Sequence, residues 1–503
     1  MITGGESLVT QPPSFSNDGK KLLVCTGNTV SIYSTTTGLL VTELEGHKAD
    51  VTCVLVVPSS SNSSASKILC YCWTSSLDGT IRYWDFSAPE LIRKVDIRLP
   101  VYSMVIPDLG ATPIGNNGKQ SDLFAFVSVQ DKNKADDGGK NFLGQIRKCN
   151  LTKSSLVHAV LTETRDPNFI TISASGEYFG IHIKRKILVW KIFAKGAKHD
   201  VKKIKLHHTK SFSVLAFHPN ERILAAGDVS GRILIWRGFG NKSFSENEVT
   251  TKGIVVKNEE ERPGVRGDDD AESCSTWHWH SNEVKVLSFS SDGSYLYSGG
   301  SEGVFVVWQL ETGKKRTLPR IGAPLRYFTA SQDPSLSSVS CANNRIHLLK
   351  MPSMEIMKSI SGIELPYSFP EIYQGYGFAF DHTAGLVALR TESYGLQFYS
   401  LFDNREVSQI QVCERNHQPN EEVTLVLTLT ALSMDGSKLS TAEVKLPEEG
   451  IGGLVCLKFW DCGSRTGEFI LSTVIYEPHR FPLLLSLNKN IDFLKHHLGT
   501  NTE

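Results

Sequence analysis

The segment HSNEVKVLSFSSDGSYLYSGGSEGVFVVW, residues 280–308, decides the fold. After His280, apolar residues stand at Val284, Leu287 and Phe289. Ser291-Asp292-Gly293 then marks a turn, Tyr295 to Gly300 a short strand, Glu302-Gly303 a second turn, and a last strand ends at Trp308. The same spacing recurs twice. His47 precedes Val51, Val54 and Val56, then Asp78-Gly79 and Trp84. His208 precedes Phe212, Leu215 and Phe217, then Ser230-Gly231 and Trp236. The strand before each tryptophan alternates, as in Thr80-Ile81-Arg82-Tyr83-Trp84. Period-two apolar runs between turn residues predict short antiparallel strands.

Weaker copies of the last strand fill the intervals, at Val30 to Tyr33, Gln145 to Cys149, Ile187 to Trp190, Arg345 to Leu349 and Leu396 to Tyr399. The anchor positions become 33, 84, 149, 190, 236, 308, 349, 399 and 460, intervals that fit a repeat of about 40–45 residues with loop insertions. These units resemble the WD repeat, whose closing pair is complete at Trp84-Asp85 and Trp460-Asp461. The resemblance implies one four-stranded blade per repeat. A blade has two apolar faces and buries both only when blades stack in a closed ring, which also leaves few open edges. The expected architecture is therefore all-β: a WD40-type seven-bladed β-propeller over 1–360, followed by an incomplete second propeller whose opening blades occupy 361–479. From Phe481 the spacing asks for apolar residues where Ser486 and Asn488 stand, so 480–503 is expected to be a divergent tail on a C-terminally shortened chain. Three polar insertions interrupt the repeat: Ser59 to Ser66, Asp131 to Lys140, and Asn241 to Ser275. The last carries Glu259-Glu260-Glu261 and Asp268-Asp269-Asp270 and is expected to be mobile.

Lys+Arg and Asp+Glu are both 53, so whole-molecule steering toward nucleic acid is not expected and any RNA contact must come from a local patch. Residues 1–10 contain no basic region followed by an apolar run, and no secretory leader is expected. No run of about 18 apolar residues occurs, so no membrane span and no membrane partner are expected. The 10 scattered cysteines form no CxxC pair, which reads as reduced thiols in cytosol or nucleus.

His47 and His280 have the look of catalytic bases. The WD resemblance implies instead that each bonds a strand hydroxyl and a turn acid beside the tryptophan, joining His47, Thr74, Asp78 and Trp84 in one structural set and His280, Ser298, Glu302 and Trp308 in another. The Trp236 unit has Ala226 and Ser230 at the hydroxyl and acid places, so its network is expected to be incomplete. Cys274, His278 and His280 lack the paired spacing of a zinc site, and no metal is expected. With no GxSxG elbow and no GxxxxGK[ST] loop, neither a catalytic residue nor a cofactor or small-molecule substrate is assigned. One stretch stands out by charge: Lys184, Arg185, Lys186, Lys191, Lys195, Lys198, Lys202, Lys203, Lys205 and Lys210, with Asp200 as the acidic neighbour. It reads either as an RNA phosphate or partner contact or as an edge strand guarded by lysines. No aromatic platform interleaves it.

Beyond the generic repeat, an ordered set of strings is more specific: Phe217-His218-Pro219, Ile235-Trp236-Arg237, Trp277-His278-Trp279-His280, Leu318-Pro319-Arg320-Ile321-Gly322-Ala323, Leu396-Gln397-Phe398-Tyr399-Ser400-Leu401 and Thr466-Gly467-Glu468-Phe469-Ile470-Leu471. Together they resemble the WD-repeat subunit family of the transcription-linked UTP-A subcomplex of the small-subunit processome. The resemblance implies a nucleolar, non-catalytic scaffold with two tandem propellers and a helical C-terminal extension. Its implied partners are the other WD-repeat subunits of that subcomplex, the U3 snoRNP and the 5′ external spacer of pre-rRNA, contacted directly or indirectly. The implied roles are early pre-18S rRNA processing and support of RNA polymerase I transcription. A competing reading is a WD-repeat adaptor or substrate receptor for a ubiquitin ligase or signalling complex. Against it, Trp84-Asp85-Phe86-Ser87 and Trp460-Asp461-Cys462-Gly463 lack the arginine of Trp-Asp-x-Arg. A propeller hydrolase ranks last.

Overall fold

A computed structural model describes residues 5–478 except 59–68, 110–121, 132–142, 194–200, 245–261, 319–320, 322, 365–377, 382–383, 392–394, 414–424, 446–453 and 464–466. The insertions 59–66 and 132–140, Glu259 to Glu261, Lys195, Lys198 and the tail 480–503 therefore lie outside the described residues. Everything else regular is strand. The described strands form nine four-stranded antiparallel sheets, each with its strands in chain order. Sheet 1 spans Ser14–Leu44, sheet 2 Val51–Asp96, sheet 3 Val101–Thr164, sheet 4 Thr171–His207, sheet 5 Phe212–His278, sheet 6 Val284–Leu318, sheet 7 Leu325–Ser361, sheet 8 Phe378–Gln411 and sheet 9 Leu425–Tyr476. The glycine five residues before Trp84, Trp236 and Trp308 is forced by geometry: Gly79, Gly231 and Gly303 all have positive φ. At Gly231 a Cβ would fall 2.0 Å from the carbonyl oxygen of His280.

Alternation along each strand sends successive side chains to opposite faces, and so to two different neighbours. Leu23 and Cys25 join Val51, Val54 and Trp84 in the seam between sheets 1 and 2. Leu22 and Val24 join Ile346, Leu348 and Ile360 of sheet 7. Further clusters join sheets 2 and 3, 3 and 4, 4 and 5, 5 and 6, and 6 and 7. The seams thus run from sheet 1 through sheet 7 and back to sheet 1, which makes these seven sheets a closed ring. Each anchor residue packs into the seam with the preceding sheet, from Tyr33 and Trp84 to Trp308 and Leu349.

The sequence offered no closing strand near the start, and none is used: all four strands of sheet 1 come from residues 14–44. Closure relies on packing. Leu8, Val9, Phe15, Leu22, Val24 and Tyr33 bury against Ile346, Leu348 and Ile360. Hydrogen bonds register the join, among them Leu8 N–H to Asn344 Oδ1 (2.6 Å), Tyr327 Oη–H to the Thr10 carbonyl (2.9 Å) and Thr329 Oγ1–H to the Pro13 carbonyl (3.1 Å). Each buried large apolar side chain contributes about 1.5–3 kcal/mol, against about 1 kcal/mol for a hydrogen bond, so the apolar seam holds the ring shut.

Of the insertion Asn241 to Ser275 in sheet 5, residues 245–261 lie outside the described residues, and among the rest a few side chains are packed. Phe239 and Phe244 are buried, and Asp269 is 1% exposed. Asp269 accepts from His207 N–H (2.9 Å), while Asp270 accepts from Lys242 N–H (3.0 Å) and Ser243 N–H (2.7 Å). Asp269 and Asp270 are held because their carboxylates satisfy backbone donors that an irregular segment leaves open.

The chain divides into two compact units, Glu6–Gly362 and a second holding Met1–Gly5 with Ile363–Glu503. Within the second, sheets 8 and 9 share one core around Phe398, Leu439 and Trp460. Trp460 Nε1–H donates to Thr441 Oγ1 at 3.0 Å. A buried ion pair that sequence pattern did not reveal lies beside this core: Lys458 Nζ stands 3.0 Å from Glu443 Oε1 and donates to the Val412 carbonyl at 2.7 Å.

Candidate functional site

In sheet 2, the turn before the strand Val51–Val56 brings His47 over the middle strand, where Thr74 points into the same seam as Trp84. His47 Nε2 lies 2.8 Å from Thr74 Oγ1, and Trp84 Nε1–H donates to that oxygen at 2.9 Å. His47 Nδ1 lies 3.1 Å from Asp78 Oδ2. A carboxylate only accepts, so Nδ1 carries the proton and the hydroxyl proton points to Nε2. The relay runs tryptophan, threonine, histidine, aspartate. Burial pushes the His47 imidazole below its ordinary value despite the pull of Asp78. Burial alone would raise the Asp78 carboxyl. Donors from Lys48 N–H, the Thr80 hydroxyl and N–H, and His47 overcome it and bring it to about 2. Sheet 6 builds the same relay from Trp308, Ser298, His280 and Glu302: Trp308 Nε1–H to Ser298 Oγ is 2.8 Å, Ser298 Oγ to His280 Nε2 is 2.7 Å, and His280 Nδ1 meets Glu302 Oε1.

Sheet 5 lacks part of the relay, as Ala226 implied, but it contains an acid at another place. Ala226 does withhold a hydroxyl from Trp236, but the acid is present two residues before the expected place. Fully buried Asp228 lies 3.1 Å from His208 Nε2 and accepts from Ser230 N–H, Ser230 Oγ–H and Arg232 N–H. The signal was in the sequence as Asp228 at the strand end, with a serine two residues on to hold it.

The three residues weighed for a metal do not converge. Both ring nitrogens of His280 are occupied within its relay. His278 is exposed and pairs with Arg232 across the outer strand, whereas Cys274 pairs with Trp236. Burial pushes the Cys274 thiol up to about 11, away from the thiolate a metal would need. Among the described residues no group of three potential ligands gathers.

The basic stretch splits in two. Lys184, Arg185 and Lys186 form an exposed hairpin between the second and third strands of sheet 4, and Lys203 and Lys205 are exposed on its outer strand, Val201–His207. Lys203 pairs with Trp190 and Lys205 with Leu188, so both stand on the face turned toward sheet 3. Lys191 and Lys202 pair with each other on the opposite face, 5.1 and 5.9 Å from the Phe193 ring. Phe193 is an aromatic the sequence reading passed over, and it serves those two lysines rather than the outward ones. Lys191 also donates to the Phe244 carbonyl at 3.2 Å.

Residues 14–251 and 268–344, from the first strand of sheet 1 into sheet 7, match the model of the first β-propeller of WD repeat-containing protein 75. The chain belongs to the WD repeat-containing protein 75 family. It is 26% identical to WD repeat-containing protein 75 of Xenopus laevis over 492 residues, 95% of this chain and 52% of that protein. It is likewise 26% identical to the Homo sapiens protein of that name over 483 residues. To U3 small nucleolar RNA-associated protein 17 of Schizosaccharomyces pombe it is 21% identical over 377 residues, 72% of this chain and 40% of that protein. The chain thus spans about half the length of the WD repeat-containing protein 75 relatives it matches.

Proposed function

We propose that this chain is a non-catalytic nucleolar scaffold of the small-subunit processome. In this reading it acts in early pre-18S rRNA processing and supports RNA polymerase I transcription of rDNA. It does so by docking other WD-repeat subunits of the UTP-A subcomplex beside the U3 snoRNP and the 5′ external spacer of pre-rRNA. The observation that carries the reading is the similarity over 95% of the chain to WD repeat-containing protein 75, together with the likeness to a relative named for its association with U3 small nucleolar RNA.

The chemistry agrees with a scaffold. The histidines His47 and His280, which a hydrolytic reading would recruit, are spent inside separate His–hydroxyl–tryptophan relays in sheets 2 and 6 instead of meeting around one substrate. The exposed Lys184, Arg185, Lys186, Lys203 and Lys205 supply the RNA contact: ammonium and guanidinium groups with no ion pair among the described residues displace counterions from phosphate without reading sequence. Lys198, part of the same expected patch, is outside the described residues.

Two measurements test this. Tagged full-length chain should concentrate in nucleoli, lose that signal when polymerase I is inhibited, and copurify the 5′ external spacer. A diffuse cytosolic signal without spacer RNA would refute the scaffold and favour the adaptor reading. Charge reversal at Lys203 and Lys205 should weaken ultraviolet crosslinking to RNA about tenfold and flatten its salt dependence. Unchanged crosslinking would leave the patch as a guarded edge.

A further inference from the structure

Two seams of the ring share one construction and differ in what fills it. In sheet 4, Tyr178 opens the second strand and pairs across to Lys191, the residue after the anchor Trp190. In sheet 6, Tyr295 opens the second strand and pairs across to Gln309, the residue after the anchor Trp308. At the seam between sheets 4 and 5 the chain provides its own filling. Phe239 and Phe244 stand 5.2 and 5.9 Å from Tyr178, and Lys191 Nζ holds the Phe244 carbonyl at 3.2 Å. At the seam between sheets 6 and 7, Phe328 packs on Tyr297 and Phe305, but among the described residues no aromatic ring packs on Tyr295. Tyr295 is left 42% exposed, and a groove of about 590 Å³ remains, with Tyr297, Val307, Met351 and Met354 in its apolar wall.

The mouth of that groove is charged. Lys314 and Arg316 line it and are exposed, and neither forms an ion pair among the described residues. Arg316 pairs with Val307, which pairs with Tyr297, so the guanidinium springs from the groove face. Lys315 points the other way, over the rings of Trp279 and Trp308 at 5.7 and 5.6 Å. Asp292 also lines the groove and stays ionised, its Oδ1 accepting from the Ser290 hydroxyl (2.5 Å) and Ser294 N–H (3.2 Å), so the basic side chains at the mouth outnumber one carboxylate.

We propose that the groove between sheets 6 and 7 is a docking site for an extended segment of a partner protein, one aromatic side chain flanked by acidic residues. The aromatic ring takes the place beside Tyr295 that Phe244 takes beside Tyr178. Gln309 serves the incoming backbone as Lys191 serves the Phe244 carbonyl. Lys314 and Arg316 face the flanking carboxylates, and complementary charge sets register and on-rate. An aromatic in a desolvated slot with a charged rim is the usual energetic centre of a small interface. The inference deepens the scaffold reading by naming the chemistry of a partner, and it can fail or stand without the RNA contact.

The test uses the full chain and a fluorescein-labelled decapeptide with one phenylalanine between glutamate pairs. Polarization should show saturable binding that weakens with salt. Tyr295→Ala should reduce affinity about tenfold, and Lys314→Glu with Arg316→Glu by at least as much. Lys203→Glu, a charge reversal on the rim of sheet 4, should leave it unchanged. Replacing the peptide's phenylalanine by alanine, or its glutamates by lysines, should abolish binding. All the substituted side chains are exposed, and unchanged melting temperatures separate binding from folding. Absence of saturable binding, or binding indifferent to Tyr295 and to the Lys314/Arg316 pair, overturns the proposal. So does a single-stranded oligouridylate that binds more tightly and is lost in the same variants, which would make the groove an RNA surface. A loss of RNA crosslinking confined to Lys203 and Lys205, with peptide binding intact, would separate this site from the patch on sheet 4.

Discussion

Sheets 6 and 5 are neighbours built to one plan, yet they satisfy their polar residues differently. In sheet 6 the tryptophan N–H, a serine hydroxyl, the histidine and the turn glutamate bond in series. In sheet 5 the serine is replaced by Ala226 and the acid has moved onto the strand as Asp228, where two backbone N–H groups and Ser230 hold it. What the two share is the contact between the histidine of the incoming turn and a buried carboxylate. The tryptophan–hydroxyl link is the part that can be dropped. The network therefore serves mainly to fasten the connection between sheets, with orientation of the tryptophan second.

The largest break in that comparison comes from the histidine of the full relay. His280→Ala takes the donor from the Glu302 carboxylate and the acceptor from the Ser298 hydroxyl proton, in a site where His280 itself is 1% exposed. The expected cost is about 3 kcal/mol, read as a shift in the urea midpoint. His208→Ala should cost less, about 1–2 kcal/mol, because Asp228 keeps the Ser230 and Arg232 donors. Equal losses in the two sheets would break the distinction.

Second is the response to acid. In sheet 7, His347 Nδ1 shares a hydrogen bond with Ser359 Oγ (2.7 Å) but has no carboxylate partner among the described residues, and burial, then Arg345, press its pKa down to about 4. The unfolded chain binds a proton near pH 6.5, so between pH 6.5 and 4 the unfolded state holds more protons. This contribution is complete above pH 6.5 and is lost as pH falls toward 4, by up to about 3 kcal/mol. His347→Gln should flatten denaturation midpoints across that window. Asp78, brought down to about 2, has the usual carboxylate sign: its contribution is present above about pH 4 and fades as pH falls toward 2. A profile unchanged by His347→Gln would show that a histidine without an acid partner behaves like one with it.

The smallest effect sharpens the comparison. Trp308→Phe and Trp236→Phe remove the same indole volume from similar seams, but only the first leaves a relay hydroxyl short of its donor. Trp308→Phe should cost about 1 kcal/mol more by urea denaturation. No difference would mean that the tryptophan N–H adds nothing to the relay.

Much of this was legible in the chain alone. Alternation specified strands, the glycine–tryptophan interval specified where each sheet turns, and the recurrence of both specified that sheets must stack, because a strand apolar on both faces needs two neighbours. Those signals are local, set by period and by backbone geometry at residues such as Gly79 and Gly303. Asp228, the packing of Asp269 and Asp270, and the Lys458–Glu443 pair escaped, since a carboxylate in sequence looks solvated until a distant donor is brought to it. Closure of the ring by Leu8, Val9 and Phe15 against Ile346 and Leu348 joins segments more than three hundred residues apart, and no spacing rule reports that. The open slot beside Tyr295 depends on what a neighbouring sheet fails to supply. Short-range order is written in the periodicity of side chains; which polar group meets which, and where a seam is left unfilled, is settled only when the sheets come together.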